Sequence, residues 1–169
     1  MTISMYSAFI PATTKVLGNL EGILDKAIAH AAAKKIVDAA FVDARLFPDM
    51  FPFALQIRIA GDMVKGGAAR LAGLDIPKYE DNEQTLAELK ARVRRTIDFL
   101  SSIKPEQIDG TEAKAISLTV GGNPMNFNGL DYLNHWVLPN FYFHVTTAYN
   151  LLRQGGVEIG KMDYLGKVR

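Results

Sequence analysis

Three side chains in this sequence have the types and spacing to form a polar site between helices: Gln56, Asn140 and His144. Asn140 and His144 lie one helical turn apart, on a face shared with Val137, Phe141, Ala148 and Leu151. A histidine on an apolar face needs hydrogen-bond partners. Gln56 shares a face with Ile59, Ala60 and Met63, so a second segment also turns a polar group inward. Two readings stay open. One is a shared pocket in which the imidazole acts as base, ligand or hydrogen-bond anchor. The other is a satisfied buried network that fixes helix register. The remaining histidines read as structural. His135, beside Trp136, is expected to be exposed or capping, and His30, near Lys34 and Lys35, suits the C-terminus of a helix. No two histidines are four apart and the chain has no cysteine, so local spacing supports no zinc site. Disulfides and cysteine nucleophiles are likewise excluded. Gly121-Gly122 lacks the pattern of a nucleotide loop, and no serine sits in a G-x-S-x-G elbow.

The elements that must position these groups read as helices. Tyr6, Phe9, Ile10, Thr13, Leu17, Leu20, Ile23, Leu24, Ala27 and Ala31 form one stripe, predicting a first helix to about Lys34. Pro11 inside it predicts a kink or a late start. Residues 36–50 read as a loop. Asp49 is the expected N-cap of a second helix, with Pro52 in its first turn. That helix carries Phe53, Ile59, Ala60, Met63, Val64, Ala68 and Leu71, and Gly73 is its expected stop. Gly66-Gly67 either weakens it or admits a close neighbour. Thr85 and Glu88 spell a capping box for a third helix with Leu86, Leu89, Val93, Ile97 and Leu100. Glu88 with Arg92 and Arg94 with Asp98 are its expected outer-face pairs, and Arg92, Arg94 and Arg95 read as a solvated face. Residues 116–127 predict a short hairpin around Gly121-Gly122, which must lie on the bundle to be stable. A fourth helix over residues 130–153 is expected to kink or divide at Pro139. Four apolar stripes make an all-α antiparallel four-helix bundle the economical solution, with the hairpin before the last helix. The loops are too long to assure an up-down-up-down order.

At 169 residues the chain fits a single domain spanning 1–169. Lys and Arg number 19 against 18 Asp and Glu, a balance that argues against nucleic acid as the main partner. Residues 1–12 carry no basic cluster ahead of an apolar core, and no stretch reaches the ~20 apolar residues of a membrane span. A cytoplasmic protein, with no membrane partner, is the expectation.

Pro139-Asn140-Phe141-Tyr142-Phe143-His144, then Ala148-Tyr149-Asn150-Leu151-Leu152-Arg153 and Gly156-Val157, resembles the fourth helix of the DinB/YfiT-like superfamily. Arg45-Leu46-Phe47-Pro48-Asp49-Met50-Phe51-Pro52 with Gln56, and the tail 161–166, extend the resemblance to one uncharacterised bacterial branch over nearly the whole chain. It implies a four-helix bundle with an interhelical pocket. In metal-binding members, three histidines hold a divalent ion, one on the second helix and two on the fourth. His144 falls at the last of these, Asn140 at its partner one turn earlier, and Gln56 at the helix-two position. Neutral amides are poor ligands for zinc or nickel. The favoured expectation is therefore a small polar ligand bound in a pocket lined by Gln56, Asn140 and His144, with no cofactor. The alternative is a zinc or nickel enzyme of the superfamily's type, a transferase or hydrolase that could be thiol-dependent. A structural homodimer is a third reading. The residues alone do not decide whether the chain is an enzyme.

Overall fold

The computed structural model describes residues 3–167; Met1, Thr2, Val168 and Arg169 lie outside them. Helix α1, Met5–Lys34, starts at a capping box between Ser4 and Ser7 and ends where Lys35 turns left-handed at φ 56°. It begins before Pro11 and runs through it, so the expected late start does not occur. Pro11 sits on the exposed face. There the carbonyl left without its N–H partner stays within reach of water. The loop after α1 holds a short helix the sequence did not signal, α2 (Ala39–Val42), which buries Phe41 and Val42.

Helix α3, Phe53–Ala72, is capped by extended Pro52, not by Asp49, and closes at Gly73 with φ 71°. Its inner face is centred on Phe53, Gln56, Ile57, Ala60 and Val64, while Ile59 and Met63 are half-buried. Gly67 realises the close approach: a Cβ there would meet Val137 Cγ1 at 2.8 Å and Phe9 Cζ at 3.2 Å. Helix α4, Leu86–Ser102, has the expected capping box of Thr85 with Glu88 and buries Leu89, Val93 and Ile97.

Its charges depart from expectation. Glu88 caps the backbone of Gln84 and Thr85 and leaves Arg92 free. Arg92 is 1% exposed and pairs with Glu83, Asp81 and Asp62 at 3.0, 2.9 and 3.2 Å. Arg94 reaches across to Glu21 at 2.5 Å instead of to Asp98. Partners from other elements displace the i,i+4 pairs because a buried cation must be neutralised by whatever carboxylates the fold brings to it.

A one-turn helix α5 (Pro105–Ile108) leads to the hairpin of β1 (Ile116–Val120) and β2 (Asn123–Phe127). The strands are antiparallel, registered from Ile116 opposite Phe127 to Val120 opposite Asn123. Gly121 and Gly122 both take positive φ, 55° and 82°, as a two-residue turn that follows strand twist requires. Phe127 packs on Tyr132 and Trp136, which seats the hairpin on the bundle.

The last long helix is divided, as Pro139 led us to expect. Short α6 (Gly129–Asp131) passes into a π-helical stretch, Tyr132–Val137, and then into α7, Leu138–Gln154. The wider π turn moves the carbonyl four residues back away from the proline ring, where a regular helix would clash. Helix α8 (Lys161–Leu165) folds back on α1, with Asn19 Nδ2 donating to the Tyr164 carbonyl and Lys26 paired with Asp163.

The cross-helix pairs give the topology. Asp25 with Lys90 and Glu21 with Arg94 set α1 antiparallel to α4. Gln56 with His144 and Gly67 with Val137 set α3 antiparallel to α7. Arg58 meets Glu83 just ahead of α4, and Lys114 just beyond it caps the Arg70 and Leu71 carbonyls at the end of α3, so α3 and α4 run parallel. The bundle is antiparallel in the order up-down-down-up. One core joins all four long helices, from Phe9, Leu17 and Leu24 through Ile57, Leu89 and Val93 to Phe141 and Leu152. No described helix is long and apolar enough to cross a membrane.

Candidate functional site

The site forms where the start of α3 faces the middle of α7. Helical spacing from Phe53 turns Gln56 inward, and spacing from Phe141 turns His144 inward; they are 1% and 7% exposed. The two meet across the bundle, His144 Nδ1 to Gln56 Oε1 at 2.7 Å. Gln56 Nε2 donates to the Phe51 carbonyl at 3.0 Å.

This chain of contacts fixes protons. The Phe51 carbonyl accepts only, so it holds the NH₂ end of the amide. The oxygen end then faces His144, and an amide oxygen also accepts only. Nδ1 must therefore carry the hydrogen, which leaves the Nε2 lone pair free. Burial pushes the His144 pKa below the ordinary histidine value, so the ring is neutral near pH 7.

A cavity of about 230 Å³ opens at this pair, lined by Asp49, Met50, Phe51, Gln56, Phe143 and His144. The loop that supplies its outer wall is held by Arg45, which donates to the Met50 carbonyl, and by the Phe53 N–H, which donates to the Ala44 carbonyl. Asp49 is exposed, and Phe51 and Phe143 are about half exposed, so these three form the rim. The Phe143 ring stands edge-on to the imidazole at 5.2 Å.

The structure thus brings Gln56 and His144 together and leaves Asn140 out of the cavity wall. Asn140 is half-buried, and its Nδ2 donates at 2.7 Å to the Trp136 carbonyl in the π-helical stretch. Irregular helix frees carbonyls from their usual N–H partners, and an amide one turn on takes one up. Asp49, Met50 and Phe51 were not read as site residues. Their signal was present: a loop carrying a carboxylate and an aromatic directly before the helix that carries Gln56. His135 is exposed, 3.7 Å from Asp131, and His30 packs edge-on against Phe41, both away from this site.

The donor set does not fit the three-imidazole site that the superfamily resemblance implies. Gln56 Oε1 is directed at His144 Nδ1, behind the ring, where a group orients the imidazole and does not bind beside it. Asn140 is engaged within its own helix. Among the described residues, no three His, Asp or Glu side chains come together as a metal-holding group.

Comparison with known proteins places the chain. No curated protein matches it. A solved structure is similar: the crystal structure of a DinB family member protein from Shewanella denitrificans, 37% identical, covering 97% of this chain and 93% of that one, with a TM-score of 0.87. The chain also matches the family described as Domain of unknown function (DUF1993) over residues 5–165. With the match spanning nearly the whole sequence and a DinB neighbour of the same fold, the chain belongs to the DUF1993 family, an uncharacterised DinB-like family.

Proposed function

We propose that this protein binds a small polar molecule in the cavity at Gln56 and His144, without a metal ion, using the His144 Nε2 lone pair as the anchoring acceptor. The observation that carries this reading is the bond from His144 Nδ1 to Gln56 Oε1. It holds the ring rigid and in one tautomer. Rigid placement of an acceptor at a cavity wall is what ligand orientation needs. The cavity is smaller than the roughly 300 Å³ at which drug-sized sites begin, so the ligand is small. The same neutral imidazole is equipped to accept a proton from a bound molecule, which is the chemistry of a general base.

The test is a panel of small polar fragments followed by backbone and histidine NMR signals of the wild-type chain. Shifts clustered at Gln56, Phe143 and His144, lost in His144→Phe, support the reading. Fragments that bind elsewhere with these signals unmoved overturn it. Elemental analysis is the second arm: about one zinc or nickel per chain, lost in His144→Ala, contradicts the metal-free reading.

A further inference from the structure

Resting on that reading of the cavity, we infer that its ligand is a small organic ammonium, a protonated primary or secondary amine on a short apolar body. The wall carries hydrogen-bond acceptors and negative charge. Asp49 supplies a carboxylate at the rim and His144 supplies the Nε2 lone pair. Two of the side-chain donors nearby are engaged inside the protein: His144 Nδ1 with Gln56, and one N–H of Gln56 Nε2 with the Phe51 carbonyl. Among the described residues, no Lys or Arg lines the cavity. The only cation on the 43–52 loop, Arg45, donates to the Met50 carbonyl.

Such a wall repels anions and pairs poorly with ligands that only accept. An ammonium group offers donors alone, matching both acceptors. The remaining surface suits its organic part. Phe51 and Phe143 stand at the rim, 51% and 57% exposed, with Met50 between the loop and the core. Aromatic faces attract a cation through their quadrupole, and thioether and ring edges accept an apolar chain. A bare neutral alcohol would use the His144 acceptor but gain nothing from Asp49 or the rings.

Benzylammonium, benzyl alcohol and benzoate separate these chemistries, since they share one ring and differ in the headgroup. Titration of the full-length wild-type chain at pH 7.5, read by NMR shifts of His144 and Phe143, is expected to rank benzylammonium first, then benzyl alcohol, with benzoate unbound. Asp49→Asn, an exposed substitution that leaves the core untouched, is expected to weaken benzylammonium by about fivefold and leave benzyl alcohol unchanged. Equal affinity for benzylammonium and benzyl alcohol overturns the ammonium inference and leaves the pocket standing. Tightest binding by benzoate overturns the acceptor assignment. No shift at His144 with any of the three removes the pocket reading as well. Zinc chloride alone, binding at His144 more tightly than benzylammonium, assigns these acceptors to a metal ion and overturns both.

Discussion

Replacing Gln56 by Leu removes one half of the buried pair that the site is built on. The His144 Nδ1–H then faces hydrocarbon at a residue only 7% exposed. An unsatisfied buried polar group costs about 1–3 kcal/mol, more than the net worth of the bond it lost. The Phe51 carbonyl loses its partner too, but Phe51 is half exposed and water replaces the amide there. We therefore expect Gln56→Leu to destabilise the chain by about 2 kcal/mol. His144→Phe strands the Gln56 oxygen and should cost a similar ~1–3 kcal/mol. The double variant puts apolar groups on both sides, so its loss should fall well short of the sum. Urea unfolding of all four proteins gives the coupling, expected at about 1–2 kcal/mol. Additivity within ~0.5 kcal/mol would refute the argument, since it would mean that the 2.7 Å contact carries no energy.

Further outcomes follow from other parts of the structure. Val93, 2% exposed in the middle of α4, should not tolerate Val93→Asp, which buries an unpaired charge; near-wild-type thermal unfolding would show that α4 packs differently. Arg92→Met should cost about 3 kcal/mol by chemical denaturation, because Glu83, 4% exposed, keeps Arg58 at 2.8 Å and only the more distant, half-exposed Arg95 at 3.7 Å; a neutral result would mean that the cluster is solvated. His144 has a lowered folded pKa, so the unfolded chain binds its proton more readily. Its contribution to stability is then complete above the ordinary histidine pKa of about 6.5 and is lost as pH falls below it. The difference between wild type and His144→Phe in stability-versus-pH curves should show that slope, and a flat difference would contradict it.

Local signals were legible where the physics is local. The Thr85 capping box, the Gly73 stop and the Gly121-Gly122 turn depend on a few adjacent residues, and each stands where its chemistry put it. Apolar spacing shows that Gln56 and His144 turn inward, and the resemblance to the DinB/YfiT-like superfamily is what sets Gln56 opposite His144. Arg92 was misread because its partners come from the connector at Asp81 and Glu83 and from Asp62 on another helix. Periodicity does show Arg92 flanking the stripe at Leu89 and Val93. It cannot show that carboxylates arrive to make burial affordable in charge. Asn140 illustrates the opposite failure. It lies on the right face by count, but the π-helical stretch before Pro139 offers its amide a local carbonyl. Asp49 followed the strong local preference of Asp for helix starts, yet α3 opens three residues later at Pro52 and releases the carboxylate to the cavity rim.

The site at Gln56 and His144 depends on one proton, the hydrogen on His144 Nδ1. Long-range ¹H–¹⁵N spectra of histidine-labelled protein at pH 7.5, with His144 assigned through the His144→Phe variant, report each ring nitrogen separately. The expected result is a neutral ring with Nδ1 protonated and Nε2 bare. A hydrogen on Nε2, or an imidazolium at that pH, would contradict it.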